Sequence, residues 1–299
     1  MAPDMLTRGY ARTPRGQIHY AEAGEGPPLI LLSESPRTHR QFLRLLPLLA
    51  KHFRAIAIDT PGYGNSDPPP QPVTIPGVTA CLVDFLDAMG LDRVDVLGIH
   101  TGNKIASCLA ADWPERVGKL VLVGHTHSII PEWKARNAAI QPIFDTYLPH
   151  YAQSPDGAHL VRAWTAVQAN LHDYWWTPKL LFGRSVEPAD VENVEARVID
   201  HLLGWRNTVA MYQAVFDFDL EAAYRRIAAP TLVLELLTPQ EVHYGLQAER
   251  IAGMMKNAKA SAIDSSYLAA LQEQPQEVAR AVVAFLTGRN AASNHPETR

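Results

Sequence analysis

The chain has 299 residues, 47% of them apolar and 19% charged, with a formal net charge of -4. That composition supports one large α/β domain, or a core domain plus an insertion, and argues against a disordered chain. Neither sign of charge forms a block, so the concentrated basic face that nucleic-acid binding requires is missing.

Two cysteines, Cys81 and Cys108, lie in helical patterns. Without CxxC or Cys/His finger spacing they argue against a disulfide scaffold and a zinc finger. Met1 to Tyr20 lacks the apolar core of a signal peptide, and no apolar run approaches the roughly 20 residues of a membrane helix. The expectation is a soluble, cytoplasmic protein with no membrane or nucleic-acid partner and a small molecule as substrate or ligand. The sequence gives no oligomeric state.

In chain order, Gln17 to Ala23 alternates like a strand and stops at the turn-forming run Gly24-Glu25-Gly26-Pro27-Pro28. Leu29 to Leu32 is a short apolar run, as for a strand buried on both faces. Arg40 to Lys51 has helical spacing, with Phe42, Leu45, Leu46 and Leu49 on one face. Phe53 to Ile58 reads as a strand ending at Asp59 and the turn-rich Thr60-Pro61-Gly62-Tyr63-Gly64-Asn65-Ser66-Asp67. Val78 to Met89 reads as a helix closed by Gly90. A strand over Arg93 to Leu97, a helix over Lys104 to Asp112 and a strand over Val117 to Val123 follow.

That rhythm means a mostly parallel sheet of about eight strands, with helices on both faces. It stops from 130 to 224, where only helical patterns occur, rich in Trp133, Trp164, Tyr174, Trp175, Trp176, Trp205 and Phe216. It resumes with a strand over Thr231 to Leu236, a helix near Gln247 to Met255, a strand over Ala260 to Asp264 and a helix over Pro275 to Leu286. The expected organisation is a core of 1–129 and 225–299 with an insertion at 130–224. The polar tail, 288–299, is expected to fray.

The runs "GPPLILL", "RAIAIDTPGYGNSD", "VDVLGIHTGNKIA", "ERVGKLVLVG", "APTLVLE" and "EQPQEVARAVVAFL" together resemble the α/β-hydrolases. The resemblance covers nearly the whole core and implies the α/β-hydrolase fold, with the helical insertion in the place of the family's cap. A fold match does not fix the chemistry.

The family's nucleophile elbow is Gly-x-Nuc-x-Gly at a strand-to-helix turn too tight for larger flanking residues. Here it reads Gly98-Ile99-His100-Thr101-Gly102, with histidine where serine, aspartate or cysteine is expected. The family's histidine position falls on Ser266, in Asp264-Ser265-Ser266-Tyr267-Leu268. Its acid position falls on Thr238 or Pro239, flanked by Glu235 and Glu241, which substitute only if the loop bends unusually. Where the family has His-Gly after the third strand, this chain has Ser33-Glu34-Ser35-Pro36. A backbone N–H at Glu34 or Ser35, with that of Thr101, is positioned to face an oxyanion, and an inward Glu34 carboxylate opposes it.

His100 reads either as space-filling or as a general base, since imidazole titrates near neutral pH. Ser266 reads as a plain loop hydroxyl or, in a swapped pair, as a nucleophile activated by His100. Oxyanion donors arranged around the elbow would serve that nucleophile poorly. Catalytic candidates are therefore His100, Ser266 and Glu34, and binding candidates are Ser33, Ser35, Thr101, His125 and Tyr267. His125 and His127, with His243 and either Glu34 or Glu241, form a weak metal pattern that ordinary pocket histidines explain better. No metal and no cofactor is expected. The resemblance implies a family that includes esterases, epoxide hydrolases, dehalogenases, C–C bond hydrolases, lyases and cofactor-free oxygenases. An elbow without a carboxylate disfavours epoxide and haloalkane chemistry through an ester intermediate. The alternative is a non-catalytic protein that keeps a ligand pocket between core and cap.

Overall fold

The computed structural model describes residues 6–124, 154–161, 191–237, 246–264 and 270–288. Its frame is an eight-stranded sheet in the order β1-β2-β4-β3-β5-β6-β7-β8. The strands are β1 (Thr7–Thr13), β2 (Gly16–Ala23), β3 (Pro28–Leu32), β4 (Arg54–Ile58), β5 (Val94–Ile99), β6 (Val117–Val123), β7 (Thr231–Leu237) and β8 (Ala258–Asp264). β1 pairs antiparallel with β2, and β2 with β4; every later pairing is parallel. β1 escapes the sequence reading because it is an edge strand with little alternation: of its seven residues only Ala11 is buried.

The helices are α1 (Leu46–Leu49), α2 (Ile75–Ala88), α3 (Thr101–Asp112), α4 (Val191–Asp217), α5 (Leu220–Arg226), α6 (Ala248–Ala252), α7 (Ala270–Glu273) and α8 (Pro275–Thr287). The single helix expected over Arg40 to Lys51 is instead a 3-10 turn, His39–Phe42, followed by the short α1. Pro47 is the cause. It has no N–H to give to an earlier carbonyl, so the helical hydrogen-bond ladder restarts there.

The parallel strands are buried on both faces, so alternate residues feed two cores. Ile30, Leu32, Ile56 and Ile58 point to the side covered by α2 and α3. Leu29, Leu31, Ala55 and Ala57 point to the side holding Leu46 and Leu49 of α1 and Val278 and Val282 of α8. Between β6 and β7 the described residues are helical and add no strand to the sheet. Most of the expected insertion lies outside the described residues. Met211, Ala214, Val215 and Phe216 of α4, with Leu220 and Tyr224 of α5, are buried in the first of these cores.

The chain leaves β3 toward β4 on one side, while β5 begins the run to the other. Loops leaving the carboxyl ends of β3 and β5 therefore diverge, which opens a crevice at that point of an α/β sheet. The β3–β5 register pairs Leu32 with Gly98. Ser33-Glu34 is thereby set beside Ile99-His100.

Candidate active site at the elbow

His100 sits between β5 and α3 with φ 47° and ψ -103°, the single positive-φ residue other than glycine among the described residues. Such backbone is costly for a residue with a Cβ, on the order of 1–3 kcal/mol, and persists only where the surroundings impose it. The surroundings here are two glycines. A Cβ on Gly98 would collide with the Gly102 carbonyl, and one on Gly102 with the Leu32 carbonyl. Its own N–H donates to the Val123 carbonyl at 3.2 Å, tying the turn to the end of β6. The imidazole lies over Gly124, where a Cβ would come within 2.8 Å of its Nε2.

Across the crevice, Glu34 turns its carboxylate toward the elbow. Its Oε2 is 3.6 Å from His100 Nε2, and both side chains are about one-fifth exposed (22% and 23%). That is an ion-pair distance rather than a hydrogen bond. Gln41 holds the carboxylate from the other side, its Nε2 donating to Glu34 Oε1 at 2.9 Å. Gln41, Glu34 and His100 thus form a row.

The two loop amides expected as oxyanion donors are spent. The Glu34 N–H donates to Gln41 Oε1 at 3.1 Å, and the Ser35 N–H to Thr101 Oγ1 at 3.2 Å. Side chains have taken both loop amides, because Gln41 and Thr101 lie within their reach. Ser33, a binding candidate, is buried and donates its hydroxyl to the Arg37 carbonyl at 2.9 Å, closing its own loop. Its hydroxyl does not face the crevice as a free group. Thr101 is buried too, and Ser35 accepts the Tyr212 hydroxyl on its carbonyl at 3.1 Å.

Two buried carboxylates hold this loop. Asp59 accepts from His19 Nδ1 at 2.9 Å, His39 Nδ1 at 2.7 Å, His39 N–H at 2.9 Å and Asn65 N–H at 3.1 Å. Burial alone would raise its pKa, but the hydrogen bonds from His19 and His39 outweigh it and hold the carboxyl well below the usual range. Asp200 of α4 accepts from Arg37 Nε at 2.9 Å, Thr38 Oγ1 at 2.7 Å and Arg40 Nη1 at 3.3 Å. One carboxylate therefore ties the 3-10 turn bearing Gln41 to β4, and the other ties it to α4.

His19, His39 and Asp59 are also the group of possible metal ligands among the described residues, with ligand atoms within 4.8 Å of one another. All four approaches to the carboxylate are already taken by protein donors, so the group works as a hydrogen-bonded hub. Sequence reading missed this hub, Asp200 and Gln41. Their only signal was a polar run, Thr38-His39-Arg40-Gln41, inside an apolar helical pattern.

Glu235 does not replace the family's acid. It is buried in β7, and its Oε1 accepts the N–H groups of Gln247 and Ala248 at 2.6 and 3.3 Å, at the start of α6. Thr238, Pro239, Glu241, His243, His125, His127, Ser265, Ser266 and Tyr267 lie outside the described residues.

A parallel sheet with an elbow between its fifth strand and the following helix defines the class. A family model described as alpha/beta hydrolase fold matches residues 27–180, and this chain belongs to that family. Among curated proteins it is 26% identical over 241 residues to Epoxide hydrolase 4 of Mus musculus, covering 78% of this chain and 66% of that protein. It is 38% identical over 114 residues to 2-hydroxy-6-oxononadienedioate/2-hydroxy-6-oxononatrienedioate hydrolase 2 of Pseudomonas putida, covering 36% of this chain and 40% of that one. Both matches span less than two thirds of the relative's length. Among solved structures, Epoxide Hydrolase A from Mycobacterium thermoresistibile superposes with a TM-score of 0.76 at 20% identity, over 95% of this chain and 99% of that one. Among the described residues no helix is long and apolar enough to cross a membrane.

Proposed function

We propose that the chain is an enzyme acting on a small, mostly apolar or aromatic organic molecule, with His100 as general base on water or on a substrate proton. No serine acyl-enzyme forms at its elbow. The observation that carries this reading is the row Gln41–Glu34–His100. A carboxylate facing Nε2 favours the tautomer protonated there and stabilises the imidazolium that forms when the ring takes a proton. Glu34 thus orients and supports His100, and Gln41 fixes Glu34. In this reading the insertion that follows β6 roofs the cleft, and its aromatics give the ligand an apolar bed. The relatives bearing epoxide hydrolase names support small-molecule chemistry in general. Their ester-forming carboxylate has no counterpart at position 100.

The test is carbon-acid proton abstraction from nitrobenzisoxazole, whose ring opening is followed by absorbance. The wild-type chain should exceed solvent background, and His100→Gln should lose about a hundredfold or more. Glu34→Gln should lose less than His100→Gln and displace the pH profile. Equal rates for wild type and His100→Gln would overturn the reading and favour the non-catalytic alternative. That alternative draws its support from the two occupied amides at Glu34 and Ser35.

A further inference from the structure

An oxyanion pocket gathers hydrogen-bond donors; the elbow of this chain gathers acceptors. The amides of Glu34 and Ser35 point into Gln41 Oε1 and Thr101 Oγ1. Beside these closed amides stands the Glu34 carboxylate. One of its oxygens takes Gln41 Nε2, and the other stands 3.6 Å from His100. An ionised carboxylate has about four lone-pair sites, so these two neighbours leave acceptor capacity toward the part-exposed side.

The cations of the same loop make their ion pairs elsewhere, and two arginines on the one Asp200 carboxylate leave a single positive charge behind that loop. Arg37 and Arg40 are paired with Asp200, and His39 with Asp59. To that positive field are added the amino end of α3, equivalent to about half a charge, and His100 itself when protonated. A ligand carboxylate or developing oxyanion placed here would meet Glu34 with no free loop amide to receive it. A ligand N–H or O–H would meet an acceptor already held in place.

We infer that the elbow selects ligands presenting a hydrogen-bond donor, either a neutral phenol or enol hydroxyl or a protonated amine, and discriminates against carboxylates. This rests on the general-base reading for its catalytic meaning. The donor that Glu34 accepts would be the group whose proton, or whose neighbouring C–H, His100 removes. As a statement about binding it stands on Glu34, Gln41 and Thr101 alone. Thr101 and Gln41 are then the residues that set the polarity of the site, by closing amides that would otherwise favour anions.

The experiment is calorimetric titration of the full chain near neutral pH with p-cresol, benzylamine and benzoate, which share one ring and differ in the polar group. p-Cresol and benzylamine should each bind at least about tenfold tighter than benzoate. Glu34→Gln, an isosteric change, should bring benzylamine to within about threefold of benzoate. Thr101→Val should release the Ser35 amide and raise benzoate affinity by about threefold or more. Benzoate binding as tightly as the donors, a donor preference that survives Glu34→Gln, or no measurable binding of either donor would overturn the inference. His100→Gln separates the two readings. Proton abstraction that His100→Gln leaves unchanged, with the donor preference intact, counts against the base alone. A lost preference with His100-dependent catalysis intact counts against the acceptor site alone.

Discussion

At Gly124 an imidazole and a glycine share one space. The residue has φ 62°, and an added Cβ would stand 2.8 Å from His100 Nε2. Gly124→Ala therefore carries both a left-handed backbone cost and a steric one. It should destabilise the fold by about 1–2 kcal/mol in urea unfolding and push the ring from its place over the β6 end. The proton-abstraction rate should fall with it; a variant as stable and as active as wild type would contradict the placement of His100. The two thiols make a second test at this scale. Burial, the largest influence, pushes Cys108 up to about 12 and raises Cys81 as well. Thiolate, not thiol, attacks alkylating reagents. Neither cysteine should react with iodoacetamide near pH 8 in the native chain, and both should react in denaturant. Rapid native labelling of either would show that the α2–α3 side of the core is open.

Among elements, α4 has a task that its length does not suggest. Its Asp200 is fully buried and receives two arginines and a threonine from the loop that carries Glu34 and Gln41. Removing one partner of a buried ion pair strands the other, at about 3–5 kcal/mol. Asp200→Ala should lose stability of that order by leaving Arg37 buried without its carboxylate. It should also loosen Glu34, so binding of benzylamine should weaken even in molecules that stay folded. Asp200→Asn keeps an acceptor and should lie between. If Asp200→Ala unfolded at the wild-type urea concentration, the latch would carry no energy.

For the whole molecule, acid is the weak side. His201 has a pKa lowered from 6.5 to about 4, first through burial and further by Arg37 and Arg197, against a hydrogen bond to the Arg197 carbonyl. A depressed histidine pKa means the unfolded chain binds the proton first. This contribution is whole above about pH 6.5 and is lost as pH falls toward about 4. Asp59, held below its ordinary 3.8, has the same sign. Its contribution is present above that value and is lost as pH falls further. Urea midpoints should therefore drop in two windows. The first should total at most about 3 kcal/mol. His201→Gln should flatten the first window and leave the second. A native His201 titrating near 6.5 by nuclear magnetic resonance would remove the first.

The sheet was legible because it depends on local pattern. A strand buried on both faces reads as an apolar run such as Leu29 to Leu32, and Gly98 and Gly102 bracket the elbow because no other side chain fits that turn. Position 100 is read from the same short stretch, and the structure holds it in the expected strained backbone. The helix over Arg40 to Lys51 failed because its apolar spacing outweighed Pro47 in the reading. What the elbow offers a ligand could not be read locally at all. Glu34, Gln41, Thr101 and Asp200 are separated by up to 166 residues, and their roles depend on which lone pair meets which N–H across the β3–β5 crevice. A hydrogen bond is decided over tenths of an ångström and a few tens of degrees. Hydrophobic spacing specifies which face a residue takes, and only the packed loops decide which acceptor closes an amide.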